Sequence, residues 1–295
     1  MNTISNCPLC KGTSFEKHLI CKDYSVSKED FTVVKCSSCG FTFTNPIPEE
    51  NQLGRYYESE DYISHSNTSK GIVNKLYQIV RNFTLKKKVK LLGTLSNGKN
   101  LLDIGCGTGE YLNQAQQSGY QTKGIEPSSV AREQAIKNFR LSVSEEGEIK
   151  RIENKSFDFI TMWHVLEHVY HLNDRIKELK RILKNDGYLI IAVPNHESYD
   201  AKHYKEYWAA YDVPIHLYHF TPNTIKKLFE NHGLSLHKTL PMKFDSFYVS
   251  MLSEKYMNGK VNLVKAFLIG LISNLKGKKD ETYSSQIYIF RKTEL

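Results

Sequence analysis

Long apolar segments are missing from this sequence. Residues 1–6 are polar, so no secretory signal is expected at the start of the chain. No stretch contains the roughly 18 consecutive apolar residues that a membrane-spanning helix requires. We therefore expect a cytoplasmic protein.

Acidic residues are fewer than basic ones, with 32 Asp and Glu against 40 Lys and Arg in 295 residues and a net charge of +8. The basic clusters at residues 86–88, 226–227 and 276–279 are not interleaved with aromatic residues. Charge of this kind is typical of solvated helix faces and does not favour a nucleic-acid partner.

Cysteine is scarce apart from two Cys-x-x-Cys pairs near the start of the chain. Cys7 with Cys10 and Cys36 with Cys39 have the spacing of a four-thiolate zinc site. Two disulfides are the alternative, which a reducing compartment disfavours. We predict a zinc ribbon over residues 1–45, with strands at 32–35 and 41–44, in which structural zinc supplies folding energy.

A glycine-rich turn follows the apolar run that ends near residue 104. Gly105, Gly107 and Gly109 alternate with Cys106 and Thr108, and glycine lets a ligand lie against peptide groups because no Cβ intervenes. A dinucleotide-binding turn would place glycine or alanine at position 110, where this chain has glutamate. A carboxylate at a helix start disfavours pyrophosphate. The turn therefore predicts a cationic ligand rather than a dinucleotide.

Strands and helices alternate from residue 98 onward, which favours a parallel sheet in an α/β fold. A linker and a helical cap are predicted over residues 46–97, with apolar positions Ile72, Leu76, Ile79 and Phe83 at helical spacing. Residues 98–295 are predicted to form the sheet domain, with a helical insertion at 245–285. The predicted strands are 100–104, 121–125, 141–143, 157–163, 188–193, 234–239 and 286–291.

The pattern Asp-x-Gly-x-Gly-x-Gly at residues 103–109 resembles the first motif of class I S-adenosylmethionine-dependent methyltransferases. The resemblance implies a Rossmann-like, doubly wound sheet of seven strands with an antiparallel last strand. Asp103 is expected to face the ammonium group of the cofactor, Glu126 its ribose hydroxyls and Glu148 its adenine. The full set of predicted cofactor-binding residues is Asp103, Gly105, Cys106, Gly107, Gly109, Glu126, Glu148, Trp163 and His164.

The segment His-Val-Leu-Glu-His at residues 164–168 matches the inverted zinc-protease pattern, but that pattern must lie within a helix and this one follows a strand. It resembles instead the fourth-strand motif of ubiquinone-biosynthesis O-methyltransferases and small-RNA 2′-O-methyltransferases. Those carry Glu-x-x-Glu-His and hold a divalent ion near the acceptor hydroxyl. Here His164 replaces the first glutamate, which disfavours a hard, oxygen-preferring ion. His168 is predicted as a general base, with a packing role as the alternative.

Aromatic and imidazole side chains are concentrated at residues 208–219, after the fifth strand. The carboxyl ends of the strands, where these residues fall, are where ligands bind in such sheets. We predict that His216 and His219 contribute to catalysis in a pocket for a planar or sugar acceptor. Surface scatter is the alternative.

The order of zinc ribbon, linker, methyltransferase sheet and C-terminal addition resembles the nucleotide-sugar C-methyltransferases. That resemblance implies methyl transfer from S-adenosylmethionine to a small-molecule acceptor, a sugar or sugar nucleotide. The alternatives are an RNA methyltransferase whose zinc ribbon recognises the substrate, and a non-catalytic module that binds the nucleoside and docks a partner.

An apolar stripe in the 245–285 insertion, formed by Val264, Phe267, Leu268, Leu271, Ile272 and Leu275, precedes the basic residues at 276–279. We predict a lid or dimer contact over the substrate cleft. A membrane surface is the less favoured alternative. The sequence leaves the oligomeric state open.

Overall fold

The computed structural model describes residues 1–57 and 72–293, with side chains for all of these except residues 72–79. Within these residues the chain forms two β-sheets and eight α-helices. The helices are α1 (Ile72–Leu95), α2 (Glu110–Gln117), α3 (Ser129–Phe139), α4 (Leu172–Ile182), α5 (Tyr199–Tyr204), α6 (Pro222–Glu230), α7 (Asp245–Asn258) and α8 (Leu263–Asp280).

The smaller sheet is antiparallel and has four strands in the order β1-β2-β3-β9. They are β1 (Phe15–Lys22), β2 (Asp30–Cys36), β3 (Thr42–Thr44) and β9 (Tyr218–His219). The two predicted N-terminal strands are confirmed, whereas β1 and β9 were not predicted. Strand β9 lies between β8 and α6 in the sequence. The N-terminal segment is therefore joined by hydrogen bonds to the segment that leads into α6.

The larger sheet has seven strands in the order β10-β11-β8-β7-β4-β5-β6. Strand β11 runs antiparallel to both neighbours and the other pairings are parallel, so the predicted doubly wound sheet with an antiparallel last strand is confirmed. The strands are β4 (Asn100–Ile104), β5 (Gln121–Ile125), β6 (Val143–Ser144), β7 (Phe157–Trp163), β8 (Leu183–Pro194), β10 (Leu234–Pro241) and β11 (Ser285–Lys292).

Apolar side chains fill both faces of the large sheet, because successive residues of a strand point to opposite sides. Leu102 of β4 packs in a cluster that also contains Phe41 and Phe43 of the N-terminal sheet. Its neighbour Leu101 packs in the cluster on the other face, with Leu112 of α2. One core is therefore shared by the small sheet and the large one.

Three predicted strands of the large sheet have the bounds that the sequence predicts, whereas β6 has two residues and shares only Val143 with the strand predicted at 141–143. Strands β4, β5 and β7 match their predicted bounds. Ser128 caps α3 by accepting a hydrogen bond from the Ala131 amide, and Thr221 forms a capping box with Thr224 at the start of α6. Strand β8 begins five residues earlier than predicted, since Leu183 already pairs with Phe157 before the chain bulges and pairs Tyr188 with Phe159.

The structure describes the side chains of the apolar stripe predicted for α8, but only one of the four predicted for α1. The side chains of Ile72, Leu76 and Ile79 lie outside the described residues, and Phe83 is 47% exposed. In α8 most of the stripe is exposed and points away from the protein, and its role as a lid or dimer contact stays a prediction. The inward face of α8 is instead made of Ala266, Ile269, Gly270, Ser273 and Gly277.

Candidate functional site

The glycine turn and the acid after β5 are in direct contact. Glu126 accepts a hydrogen bond from the Gly107 amide at 2.8 Å through Oε2, and one from the Ser128 amide at 2.9 Å through Oε1. The amides of Gly105 and Cys106 donate to the Ile125 carbonyl. These contacts hold β4 and β5 so that the Glu126 carboxylate, 9% exposed, borders the turn. Each carboxylate oxygen keeps a second lone pair that can accept a ligand hydroxyl.

The three glycines of the turn have different surroundings, although all have positive φ. At Gly107 no described atom lies within 4 Å of the position that a Cβ would take, so this is the glycine beside open space. A Cβ at Gly105 would lie 2.4 Å from Val165 Cγ2, and one at Gly109 would lie 2.5 Å from Leu141 Cδ1. Gly105 and Gly109 therefore allow close packing of the protein, and Gly107 leaves room for a ligand.

Asp103 lies at the end of β4 with 2% of its surface exposed. Its Oδ1 accepts a 2.6 Å hydrogen bond from the Thr161 hydroxyl. Burial raises the pKa of this carboxyl to about 7, against the opposing effects of Thr161 and Lys88. A buried carboxyl of this kind is stabilised in its ionised form by a cationic ligand.

Helix α1 closes over the glycine turn through two cationic contacts that the sequence did not reveal. Arg81 forms a 2.9 Å ion pair with Glu110, the first residue of α2. The Lys88 Nζ lies 4.1 Å from the centre of the Trp163 ring, which also meets the Tyr111 ring edge-to-face. Burial lowers the pKa of Lys88 to about 8, although Asp245 and Asp103 oppose the shift. Trp163 therefore forms a wall between α1 and α2.

Two of the predicted cofactor-binding side chains have other partners. The Cys106 side chain is buried, and a Cβ at Gly124 would lie 2.7 Å from its Sγ, so it packs on β5. Burial raises the pKa of its thiol. Glu148 lies in a 3-10 helix and forms an ion pair with Arg151. Contacts of Cys106 and Glu148 with a cofactor stay predictions.

His164 bridges two carboxylates, and its contact with a cofactor stays a prediction. Its Nδ1 lies 3.3 Å from Glu167 Oε1 and its Nε2 lies 3.1 Å from Oδ2 of Asp245, the first residue of α7. Burial disfavours the charged ring, but the two carboxylates outweigh it and raise the pKa of His164 to about 9. His164 is therefore an imidazolium that holds Glu167 and Asp245 in place.

Glu167, His168 and His216 converge at the edge of the sheet. One potential ligand atom from each lies within 4.8 Å of the others. The rings of His168 and His216 meet edge-to-face with centroids 4.5 Å apart. Glu167 is fully buried, and among the described residues its Oε2 has no hydrogen-bond partner. The donor set of two imidazoles and one carboxylate can hold a borderline transition-metal ion.

Backbone carbonyls fix the tautomers of both histidines. His168 Nδ1 lies 3.1 Å from the Ile215 carbonyl, and His216 Nδ1 lies 2.9 Å from the Ala210 carbonyl. Because a carbonyl can only accept, each Nδ1 carries a proton and each Nε2 presents a lone pair. Burial and the neighbouring His216 lower the pKa of His168 to about 4, so its ring is neutral near pH 7.

His219, which the sequence predicts to be catalytic, lies inside the small sheet. It pairs with Thr42 across the β3–β9 ladder and is 4% exposed. Burial brings its pKa well below the ordinary value. This geometry supports a structural part for His219, and its catalytic role stays a prediction.

The four predicted zinc ligands lie together at the start of the small sheet. The Sγ atoms of Cys7 and Cys39 are 3.6 Å apart, as are those of Cys10 and Cys36, and all four sulfurs lie within 4.8 Å of one another. Sulfurs at the corners of a tetrahedral zinc site, with bonds of about 2.3 Å, are about 3.8 Å apart. The donor set and its spacing fit a zinc ion.

Several residues of the site escaped the sequence analysis. Tyr57 reaches His168 Nδ1 at 3.1 Å from the N-terminal segment. Asp212 belongs to the predicted 208–219 cluster, and its carboxylate lies 4.0 Å from His216 Nε2. Lys88 belongs to a basic cluster interpreted as a solvated helix face, and Asp245 is the first residue of the predicted 245–285 insertion. Only the folded chain shows where each of these charges points.

The sheet order, the glycine turn and the acid at the end of β5 define an α/β protein of the class I methyltransferase fold. A family model described as a methyltransferase domain matches residues 77–239, which is more than half of the chain. The chain belongs to this family. The match includes the glycine turn, Glu126 and the 164–168 segment, and it leaves out the cysteine cluster and α8.

Curated relatives match shorter stretches. A ubiquinone biosynthesis O-methyltransferase of Glaesserella parasuis is 34% identical over 109 residues, covering 33% of this chain and 46% of the relative. An uncharacterized protein of Methanocaldococcus jannaschii is 33% identical over 130 residues, covering 44% of this chain and 47% of the relative. The chain thus spans about half the length of these curated relatives.

Among solved structures, the magnesium protoporphyrin IX methyltransferase of Synechocystis is similar in fold. The alignment covers 82% of this chain and 94% of that protein, with a TM-score of 0.51 and 14% sequence identity. At this identity the similarity concerns the fold alone. No helix of the described residues is long and apolar enough to cross a membrane.

Proposed function

We propose that this protein transfers a methyl group from S-adenosylmethionine to a small-molecule acceptor, a sugar or sugar nucleotide. The observation that carries the proposal is the pair of hydrogen bonds from Gly107 and Ser128 to Glu126. They fix a carboxylate beside the glycine that has open space in front of it. A strand-end acid in this position is suited to bind vicinal ribose hydroxyls.

Each proposed cofactor-binding residue would contact a different part of S-adenosylmethionine. S-adenosylmethionine supplies an electrophilic methyl group when bound. Glu126 would accept hydrogen bonds from the ribose, Gly107 would admit the ligand against the backbone, and Asp103 would balance the ammonium group. The buried Asp103 supports this part because an acid of raised pKa gains from a cationic neighbour. Trp163 would exclude water from the same region, since its ring lies between α1 and α2.

His168 is the proposed general base. Because its Nδ1 proton faces the Ile215 carbonyl, Nε2 has a lone pair that can take a proton from the acceptor as the methyl group is transferred. His216 presents a second Nε2 lone pair next to it, and Asp212 and Tyr57 add polar groups. A cluster of this kind can hydrogen-bond the hydroxyls of a sugar, which supports the sugar or sugar-nucleotide class.

A structural zinc ion is proposed for Cys7, Cys10, Cys36 and Cys39. It would fix the N-terminal ribbon of residues 1–45, and residues 46–97 and 98–295 are proposed as the cap and the methyltransferase domain. The hydrogen bond from Thr44 to the His216 carbonyl supports a ribbon that forms one wall of the acceptor site, and the contact of Tyr57 with His168 supports a cap that borders the same site. The ribbon would then position the acceptor rather than recruit RNA.

The test is methyl transfer by the full-length, zinc-loaded protein. Methyl-labelled S-adenosylmethionine is incubated with a panel of nucleotide sugars and, separately, with purified RNA. We expect label in a nucleotide sugar, lost in His168→Gln and kept in His171→Gln, an exposed histidine on the surface. Label in RNA, or turnover unchanged in His168→Gln, would contradict the proposal.

Measuring turnover with and without a chelator distinguishes two roles of His168, that of a general base and that of a metal ligand. If an ion occupies the Glu167, His168 and His216 cluster, then a chelator that leaves the four-cysteine zinc in place abolishes turnover and added divalent ions restore it. If His168 acts as the base, turnover survives the chelator.

A further inference from the structure

The outward face of α8 is unusual in its chemistry. Leu263, Val264, Phe267, Leu268 and Leu271 are exposed, with Val264 at 72% and Phe267 at 57%. Leu275 continues the same face at 62%. A surface helix normally buries its large apolar residues and exposes polar ones. In α8 this order is reversed.

The contacts of the inward face hold α8 in this orientation. A Cβ at Gly270 would lie 2.7 Å from the Phe247 ring, so glycine is needed for α7 and α8 to approach closely. The Ser273 hydroxyl donates a 2.5 Å hydrogen bond to the buried Asp200, and the Ser246 hydroxyl donates to the Gly270 carbonyl at 3.1 Å. Turning the apolar face inward would break these bonds and crowd Gly270.

The charges that border the stripe are mostly basic. Of the acids at residues 241–281, Asp245 and Glu254 point into the protein, where Asp245 meets His164 and Glu254 pairs with Lys265 at 2.8 Å. Asp280 and Glu281 are exposed at the C-terminal end of α8. Exposed lysines flank the stripe at both ends: Lys243, Lys260, Lys276, Lys278 and Lys279. The Asn274 side chain donates to the Lys243 carbonyl, so Lys243 lies beside the C-terminal half of α8.

We infer that the exposed face of α8 and its flanking lysines bind an anionic lipid surface. An apolar stripe bordered by lysines inserts at the boundary of headgroups and acyl chains. There the apolar side chains contact the acyl chains and the lysines contact the anionic headgroups. A second copy of this chain is a poorer occupant, because a two-fold contact would bring the same lysines of both copies together.

Vesicle sedimentation of the full-length protein tests this inference. Vesicles of phosphatidylcholine alone are compared with vesicles that also contain about one third phosphatidylglycerol, a fraction that gives a clearly negative surface. We expect binding to the anionic vesicles that weakens as salt is added. The double variant Phe267→Ser with Leu271→Ser should raise the dissociation constant at least about tenfold, since two apolar side chains no longer insert.

The matched control is Val130→Ser with Ile136→Ser, which removes two exposed apolar side chains from α3. It should bind vesicles as the natural protein does. Lys278→Glu with Lys279→Glu tests the charge without touching the apolar stripe, and binding should fall again. Absence of binding to anionic vesicles, or equal loss in the α3 control, overturns the inference. So does a dimer in light scattering that Phe267→Ser with Leu271→Ser converts to monomer.

Discussion

Thr44 of the N-terminal sheet lies 3.1 Å from His219 Nε2 through its hydroxyl, and the same hydroxyl donates to the His216 carbonyl at 2.9 Å. One buried side chain of β3 thus holds two positions that are 172 and 175 residues away in sequence. Because His216 belongs to the candidate acceptor site, the small sheet positions that site.

Replacing Thr44 by valine should therefore impair binding of the acceptor and leave binding of the cofactor unchanged. We expect a loss of about 1–2 kcal/mol in the free energy of unfolding, since buried partners are left unsatisfied. The KM for the acceptor should rise while the affinity for S-adenosylhomocysteine stays unchanged. Thr122→Val is the matched control, since its buried hydroxyl has no partner among the described residues and its loss should cost little. Equal effects of the two variants would contradict this view.

Gly107 should be required for binding and not for packing. Gly107→Ala places a methyl group in the open space beside the turn, so cofactor affinity should fall at least about tenfold. The stability loss should be about 1 kcal/mol, the cost of a left-handed alanine. Gly119→Ala has a similar positive φ and open surroundings, and should show the same stability loss with normal affinity. Calorimetry and urea unfolding measure both. Normal affinity in Gly107→Ala would place the ligand elsewhere.

Cys39→Ser should release the zinc ion and loosen the small sheet. The natural protein is expected to contain one zinc per chain by elemental mass spectrometry, and Cys39→Ser substantially less. Cys21→Ser, which changes a buried thiol outside the cluster, should keep the metal. Zinc content that is equal in the two variants would contradict a four-cysteine site.

The stability of the fold should depend on pH through His164. Its pKa is raised from 6.5 to about 9 in the folded chain, so the protonated ring is favoured by folding. Its stabilising effect is complete below pH 6.5 and is lost as the pH rises through 9. Urea unfolding across this range should show the decline, and His164→Gln should flatten it. Parallel curves for the two proteins would show that other groups cause the dependence.

Local patterns predicted much of the fold. The apolar runs of β4, β5 and β7, the cap at Ser128 and the cap at Thr221 before Pro222 are visible in the sequence because each depends on nearby residues. Strand β9 has two residues and exists only because β3 lies beside it, so no local signal marks it.

The candidate site was predictable in part for the same reason. Glu126 follows its strand directly and contacts the turn as expected. The fold brings Asp245 of α7 to Nε2 of His164 and makes this residue a bridge between carboxylates, while its contact with the cofactor stays a prediction. The outward stripe of α8 could be found from periodicity, but its direction depends on the close approach at Gly270.

Binding of S-adenosylhomocysteine by calorimetry, in the natural protein and in Glu126→Gln, tests the central claim most directly. The amide keeps the shape of the side chain and removes its charge, so we predict binding by the natural protein and a loss of at least about tenfold in the variant. Glu153→Gln, at an exposed position, should bind normally. No binding by the folded, zinc-loaded natural protein, or equal affinity in Glu126→Gln, would contradict a nucleoside site at Gly107 and Glu126.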